Sequence, residues 1–172
     1  MNNVSPLQPL TPASAVPLVP ATSPETRIAS DEELPGYRID GKELVIDHAA
    51  QDVRHVLQAS CAIEGTIQIL EGGLFIAGNL PTGRIEIPNG SLIVAEGAEI
   101  GAEVSVKRLF NLGTIKVSTV TAAELLVNWG RIDAKEVTTV SLRNGGTLVA
   151  KEIRYGEMES IGVMQGNLAR VS

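Results

Sequence analysis

The sequence predicts an all-β protein: a parallel β-helix, or β-solenoid, of about seven short coils behind a proline-rich N-terminal tail. Three observations predict it. Apolar residues make up 44% of the 172 residues but aromatics only 3%, which suits thin repeated layers of Ile, Val, Leu and Ala. Glycines at 65, 83, 97, 113, 130, 146 and 162 recur at intervals of 18, 14, 16, 17, 16 and 16. Seven of the nine prolines lie at or before Pro35, so the chain divides into two textures.

Residues 1–36 form the first part. Proline fixes φ and removes a backbone donor, and its spacing there blocks both helix and sheet. The expectation is a disordered tail that acts as a spacer. A sharper alternative is a short adhesive segment using Val4, Leu7, Leu10, Val16, Leu18 and Val19. With Arg27 as the one cation before Arg38, its hold on a membrane would rest on a few apolar side chains and be weak.

Residues 37–166 are the expected core, with 167–172 as a short C-terminal tail. Most glycines are followed by one residue and then an apolar one, as in Gly65-Thr66-Ile67, Gly113-Thr114-Ile115, Gly130-Arg131-Ile132 and Gly146-Thr147-Leu148. Gly97 departs, because Ile100 arrives one residue late, and a one-residue slip or bulge is expected there. A second apolar element lies between the glycines, as in Leu92-Ile93-Val94 and Leu125-Leu126-Val127. Strands this short bury no face alone. If each coil pairs with the next, the backbone groups are satisfied and alternation sends Ile, Val and Leu inward. Glycines then serve the corners. Residues 47–60 read either as a helix capped by Asp47 or as part of a first coil; Leu44 to Ile46 opens the region as a strand and favours the coil.

Charge and composition exclude some functions. The net charge of −6 disfavours nucleic acid as a partner. Cys61 is the single cysteine, so there is no disulfide framework, and a reducing compartment fits. No apolar run reaches membrane-spanning length and no signal peptide is read, which predicts a cytoplasmic protein. No catalytic, cofactor-binding or metal-ligating residue is assigned. His48 and His55 are the only imidazoles, whereas metal sites on hexapeptide helices usually take three. Ile63, Ile69, Phe75, Ile87 and Ile93 do fit the six-residue grid of a hexapeptide acyltransferase, but Pro81, Glu99 and Ser105 break it.

The runs Gly65-Thr66-Ile67, Ser91 to Ile100 and Leu109 to Ile115 resemble the bactofilins, bacterial cytoskeletal proteins, over about Leu44 to Gly166. The resemblance implies a right-handed parallel β-helix. It also implies nucleotide-independent end-to-end filaments and a scaffold role in cell shape, polar organisation or stalk and wall-related functions. Expected partners are further copies of the chain and cell-envelope or morphogenesis proteins, at a cytoskeletal location peripheral to the inner membrane. Family members meet the membrane through an apolar and basic N-terminal segment, a pattern from which this tail departs. Family filaments also depend on apolar residues near the end of the core, often a phenylalanine. Here that region offers Ile153, Tyr155, Met158, Ile161 and Met164 instead.

A solenoid ends in open strand edges and an open apolar layer. The candidate joints are therefore Leu44, Ile46 and Val56 at one end and the five residues just named at the other. An alternative function is an adaptor that binds a protein partner without polymerising. Its candidate anchor is Trp129, placed at a corner.

Overall fold

The structure is a computed structural model that describes residues 36–172; the expected disordered tail lies outside the described residues, apart from Gly36. The described residues contain thirteen strands and no helix. The first two, β1 (Tyr37–Asp40) and β2 (Glu43–Ile46), form an antiparallel hairpin. The other eleven form one continuous parallel sheet that winds as a solenoid of about seven turns. They are β3 (Val53–Leu57), β4 (Ala62–Gln68), β5 (Gly73–Ile76), β6 (Asn79–Val94), β7 (Glu99–Ile100), β8 (Glu103–Asn111), β9 (Thr114–Lys116), β10 (Thr119–Asn128), β11 (Arg131–Asn144), β12 (Thr147–Ser160) and β13 (Val163–Arg170).

Each coil has three faces, and the register stacks like on like. On the first face Leu80, Ile100, Ile115, Ile132, Leu148 and Met164 form one inward column. On the second, Ile67, Ile85, Val104, Val120, Val137, Ile153 and Leu168 form another. On the third, Leu74, Leu92, Leu109, Leu126, Leu142 and Met158 complete the interior. Nearly all of these side chains are buried in one cluster. Alternation along each strand produces this, with polar partners such as Arg84, Glu86 and Glu103 left outside. Those exposed ion pairs contribute about 0–1 kcal/mol each, so the columns and not the charges hold the rod together.

The glycine repeat proves to be two corners. Gly113, Gly130, Gly146 and Gly162 stack where the chain turns onto the first face. A Cβ at Gly146 would strike the carbonyl of Gly130, and one at Gly162 that of Gly146. Close approach of adjacent coils, not a positive φ, excludes side chains there. Gly65 and Gly83 pair with each other at a different corner, before the second face, with φ of +115° and +121°. The slip expected at Gly97 is absent, because Ala98 itself stands in register with Gly113 through the pairing of Glu99 with Thr114. Gly97 instead makes the turn just before it, at φ +88°.

Two boundaries also move. Residues 47–60 contain no helix: 47–52 are turn and Val53–Leu57 is the third-face strand of the first coil. Leu44 to Ile46 is a strand, as expected, but it belongs to the hairpin and not to a coil. At the other end, Asn167 to Arg170 pair with Glu152 to Tyr155, so the core runs through Arg170, past the expected boundary at 166.

Candidate assembly surfaces

The hairpin owes its turn to Gly41, which takes φ +64° at the first position of a two-residue loop. It lies across the outer side of the third face. There the outward column reads Phe75, Ile93, Phe110 and Val127, then Arg143 and Glu159. Tyr37 and Leu44 of the hairpin bury Ile93, Phe110 and Val127 completely. The Tyr37 ring meets Phe110 edge-on at 5.3 Å. Apolar residues facing out of a sheet need such a cover, and the hairpin supplies it over the middle coils.

This corrects two sequence expectations. Leu44 is buried and Ile46 half-buried against the flank of the rod, so neither belongs to an end joint. Trp129 is no free anchor: its ring packs in the same cluster, and its indole N–H donates to the Lys42 carbonyl at 2.8 Å. Beneath the hairpin the Tyr37 hydroxyl and Arg143 Nε are buried without hydrogen-bond partners. Burial pushes the Tyr37 hydroxyl above its ordinary value, while the Arg143 guanidinium nearby pulls it down less strongly.

The C-terminal end is the more open surface. The outer edge of β13 pairs with no strand among the described residues. Ile161, Val163 and Leu168 are 70%, 61% and 50% exposed. Tyr155, Met158 and Met164 are half-buried against the core cluster. Ile153 is fully buried between Val137 and Leu168, so it supports this surface from within and does not line it. Leu168 lies beyond the expected core boundary at 166, and Val163 follows Gly162 at the position the repeat leaves to polar residues such as Thr114 and Arg131, so neither stands among the expected joint residues. At the other end Val56, Ile63 and Leu70 are exposed, and Leu57 and Ile69 close the core above the second coil.

One feature of the interior was also missed. In the corner column below Ile76 and Val94 stand Asn111, Asn128, Asn144 and Ser160. Asn111 Nδ2 donates to Asn128 Oδ1 at 2.8 Å, Asn128 Nδ2 to Asn144 Oδ1 at 2.8 Å, and Asn144 Nδ2 to Ser160 Oγ at 3.1 Å. Each amide also donates to a backbone carbonyl one coil further on, at Arg131, Thr147 and Val163. The ladder satisfies buried polar groups by stacking identical side chains. The signal was present as Asn-x-Gly at each of these corners, with Ser160 two residues before Gly162.

An open groove of about 480 Å³ lies on the first face, lined by Asn79, Pro81, Glu99, Gly101, Thr114 and Lys116. Among the described residues no three His, Cys, Asp or Glu side chains gather as a metal cage, and no helix is long and apolar enough to cross a membrane. Compared with models of known protein families, with curated proteins and with solved structures, the chain matches none.

Proposed function

We propose that the chain is the subunit of a non-catalytic scaffold, joined end to end into nucleotide-independent filaments of the bactofilin kind. One observation carries this: the edge of β13, unpaired among the described residues, where Ile161, Val163 and Leu168 present apolar surface beside open backbone groups. A second copy stacked there satisfies both at once, by continuing the ladder of backbone bonds and covering the apolar layer. Joined at both ends of the rod, such contacts do not close and a filament results. The coil length supports a scaffold over a hexapeptide enzyme. From Ile85 to Val104, Val120, Val137, Ile153 and Leu168 the steps are 19, 16, 17, 16 and 15 residues, with no fixed eighteen-residue grid. In a cell such filaments would organise shape or the placement of envelope-associated proteins from the cytoplasmic side.

Negative-stain electron microscopy of the purified protein tests the proposal. Filaments are expected from the unaltered chain, and short particles from Ile161→Asp and Leu168→Asp with the β-sheet circular dichroism retained. Persistent monomers at high protein concentration, or filaments unaffected by both substitutions, would overturn it.

A further inference from the structure

The hairpin is attached to the coils more loosely than its burial implies. Its backbone hydrogen bonds run within itself, and it forms its own two-stranded sheet. Among the described residues, one well-formed hydrogen bond ties residues 36–46 to the coils, from Trp129 Nε1 to the Lys42 carbonyl, and the Arg143 guanidinium lies close to the Tyr37 hydroxyl. No ion pair joins the two parts among those residues. The contact leaves the Tyr37 hydroxyl and Arg143 Nε buried without a well-formed hydrogen bond, which works against the apolar gain from Leu44 and Tyr37, and the nearby Arg143 charge offsets this only in part.

The connection between hairpin and solenoid is a compact hinge. Residues 47–52 form a turn in which Asp47 Oδ1 accepts from the Ala49 and Ala50 amides. The turn ends at Asp52, whose φ of +52° makes it the one non-glycine residue described with a left-handed backbone. Six residues extended reach about 20 Å, several times the spacing between coils. The hinge leads into Val53, on the first coil. It therefore sits at one end of the rod, beside the space a neighbouring molecule would occupy.

We infer that the hairpin is an exchangeable strap: it opens about residues 47–52 and docks on the third face of a second copy of this chain. The occupant follows from the page. The stripe of Ile93, Phe110 and Val127 already fits Tyr37 and Leu44 in its own molecule, so an identical stripe on a neighbour offers the same contacts, Lys42 carbonyl to indole included. Exchange of an element between identical chains adds no new interface and costs the opening of the hinge, where Gln51 Oε1 accepts from Ser91 Oγ at 2.6 Å and the His48 ring rests 5.0 Å from that of Phe75. The inference stands apart from end-to-end assembly, since it needs only two molecules and a different surface.

Trp129 is the single tryptophan, so it reports strap docking directly. Two altered proteins are prepared. One carries Leu44→Asp and keeps its face and Trp129; the other carries Phe110→Asp and Trp129→Phe and keeps its hairpin. Alone, the first is expected to show a solvent-exposed indole. Mixed one to one, the intact hairpin of the second should dock on the intact face of the first. The emission should then shift to the blue, and a 1:1 complex should appear by sedimentation. A mixture whose spectrum and sedimentation equal the sum of its parts, after hours at high concentration, would overturn the inference. If either aspartate prevents folding, Leu44→Ser and Val127→Ser replace them with the same readouts. Loss of filaments by microscopy alongside a positive mixing result would count against end joints and leave the strap intact.

Discussion

Trp129 and Lys42 stand 87 positions apart in the chain, and the indole N–H of one donates to the carbonyl of the other at 2.8 Å. That bond marks where the hairpin crosses the outer sheet surface and turns back. It makes a residue with the look of an exposed anchor into an internal fastening.

Leu44→Ala should loosen this fastening. Truncating a buried leucine costs about 2–5 kcal/mol where the site does not collapse. The loss falls on the hairpin, so Trp129 emission should move to the red in a transition at lower temperature than the loss of β-sheet circular dichroism. A single coincident transition would show that strap and coils unfold together.

Tyr37 gives the strap a pH dependence. Its hydroxyl is held above the ordinary value of 10.0, by burial first. A group whose folded value is raised contributes stability that is complete below the unfolded value and lost as pH rises toward the folded one. Strap docking should therefore weaken above about pH 10, read by Trp129 emission. Tyr37→Phe should flatten that alkaline loss. It should also change neutral stability by no more than about 1 kcal/mol, since it removes a buried hydroxyl that makes no well-formed hydrogen bond.

The asparagine ladder predicts a non-additive series. Asn128→Ala leaves the Asn144 Oδ1 acceptor without its donor in the interior, while Asn111 Nδ2 keeps the Gly113 and Arg131 carbonyls. A buried group left so costs roughly 1–3 kcal/mol, and a loss of that size is expected in urea unfolding. Replacing Asn111, Asn128 and Asn144 together by Val should cost much less than three times the single change. The same column already holds Ile76 and Val94 above them.

The end joint predicts a salt response. Apolar contacts with backbone pairing should survive 1 M salt, where the Debye length falls to about 3 Å. Assemblies held by charge pairs between copies should disperse. Light scattering across a salt series separates the two, and Val163→Asp should mimic dispersal at any salt if the β13 edge is the joint.

The repeat and the inward columns were legible because a solenoid is nearly one-dimensional. Each coil meets only its neighbours, so local alternation and corner glycines report the core directly. Gly-x-apolar marks the corner at Gly113, Gly130 and Gly146, and Asn-x-Gly, two residues earlier, marks the ladder. The pattern misled where two corners share one signature, at Gly83 and Gly113, because spacing along the chain does not say which face a glycine precedes.

The sequence by itself therefore determined the winding: short β-prone segments at a near-regular period bury their apolar faces only by stacking. What the tertiary structure decided was everything that depends on contacts between distant segments. Leu44 and Trp129 both looked like surface for a partner. Only the folded chain brings Tyr37 and Leu44 over Phe110 and Val127, because a cover for an outward apolar stripe comes from wherever the chain has one to spare, and no local rule specifies where that is.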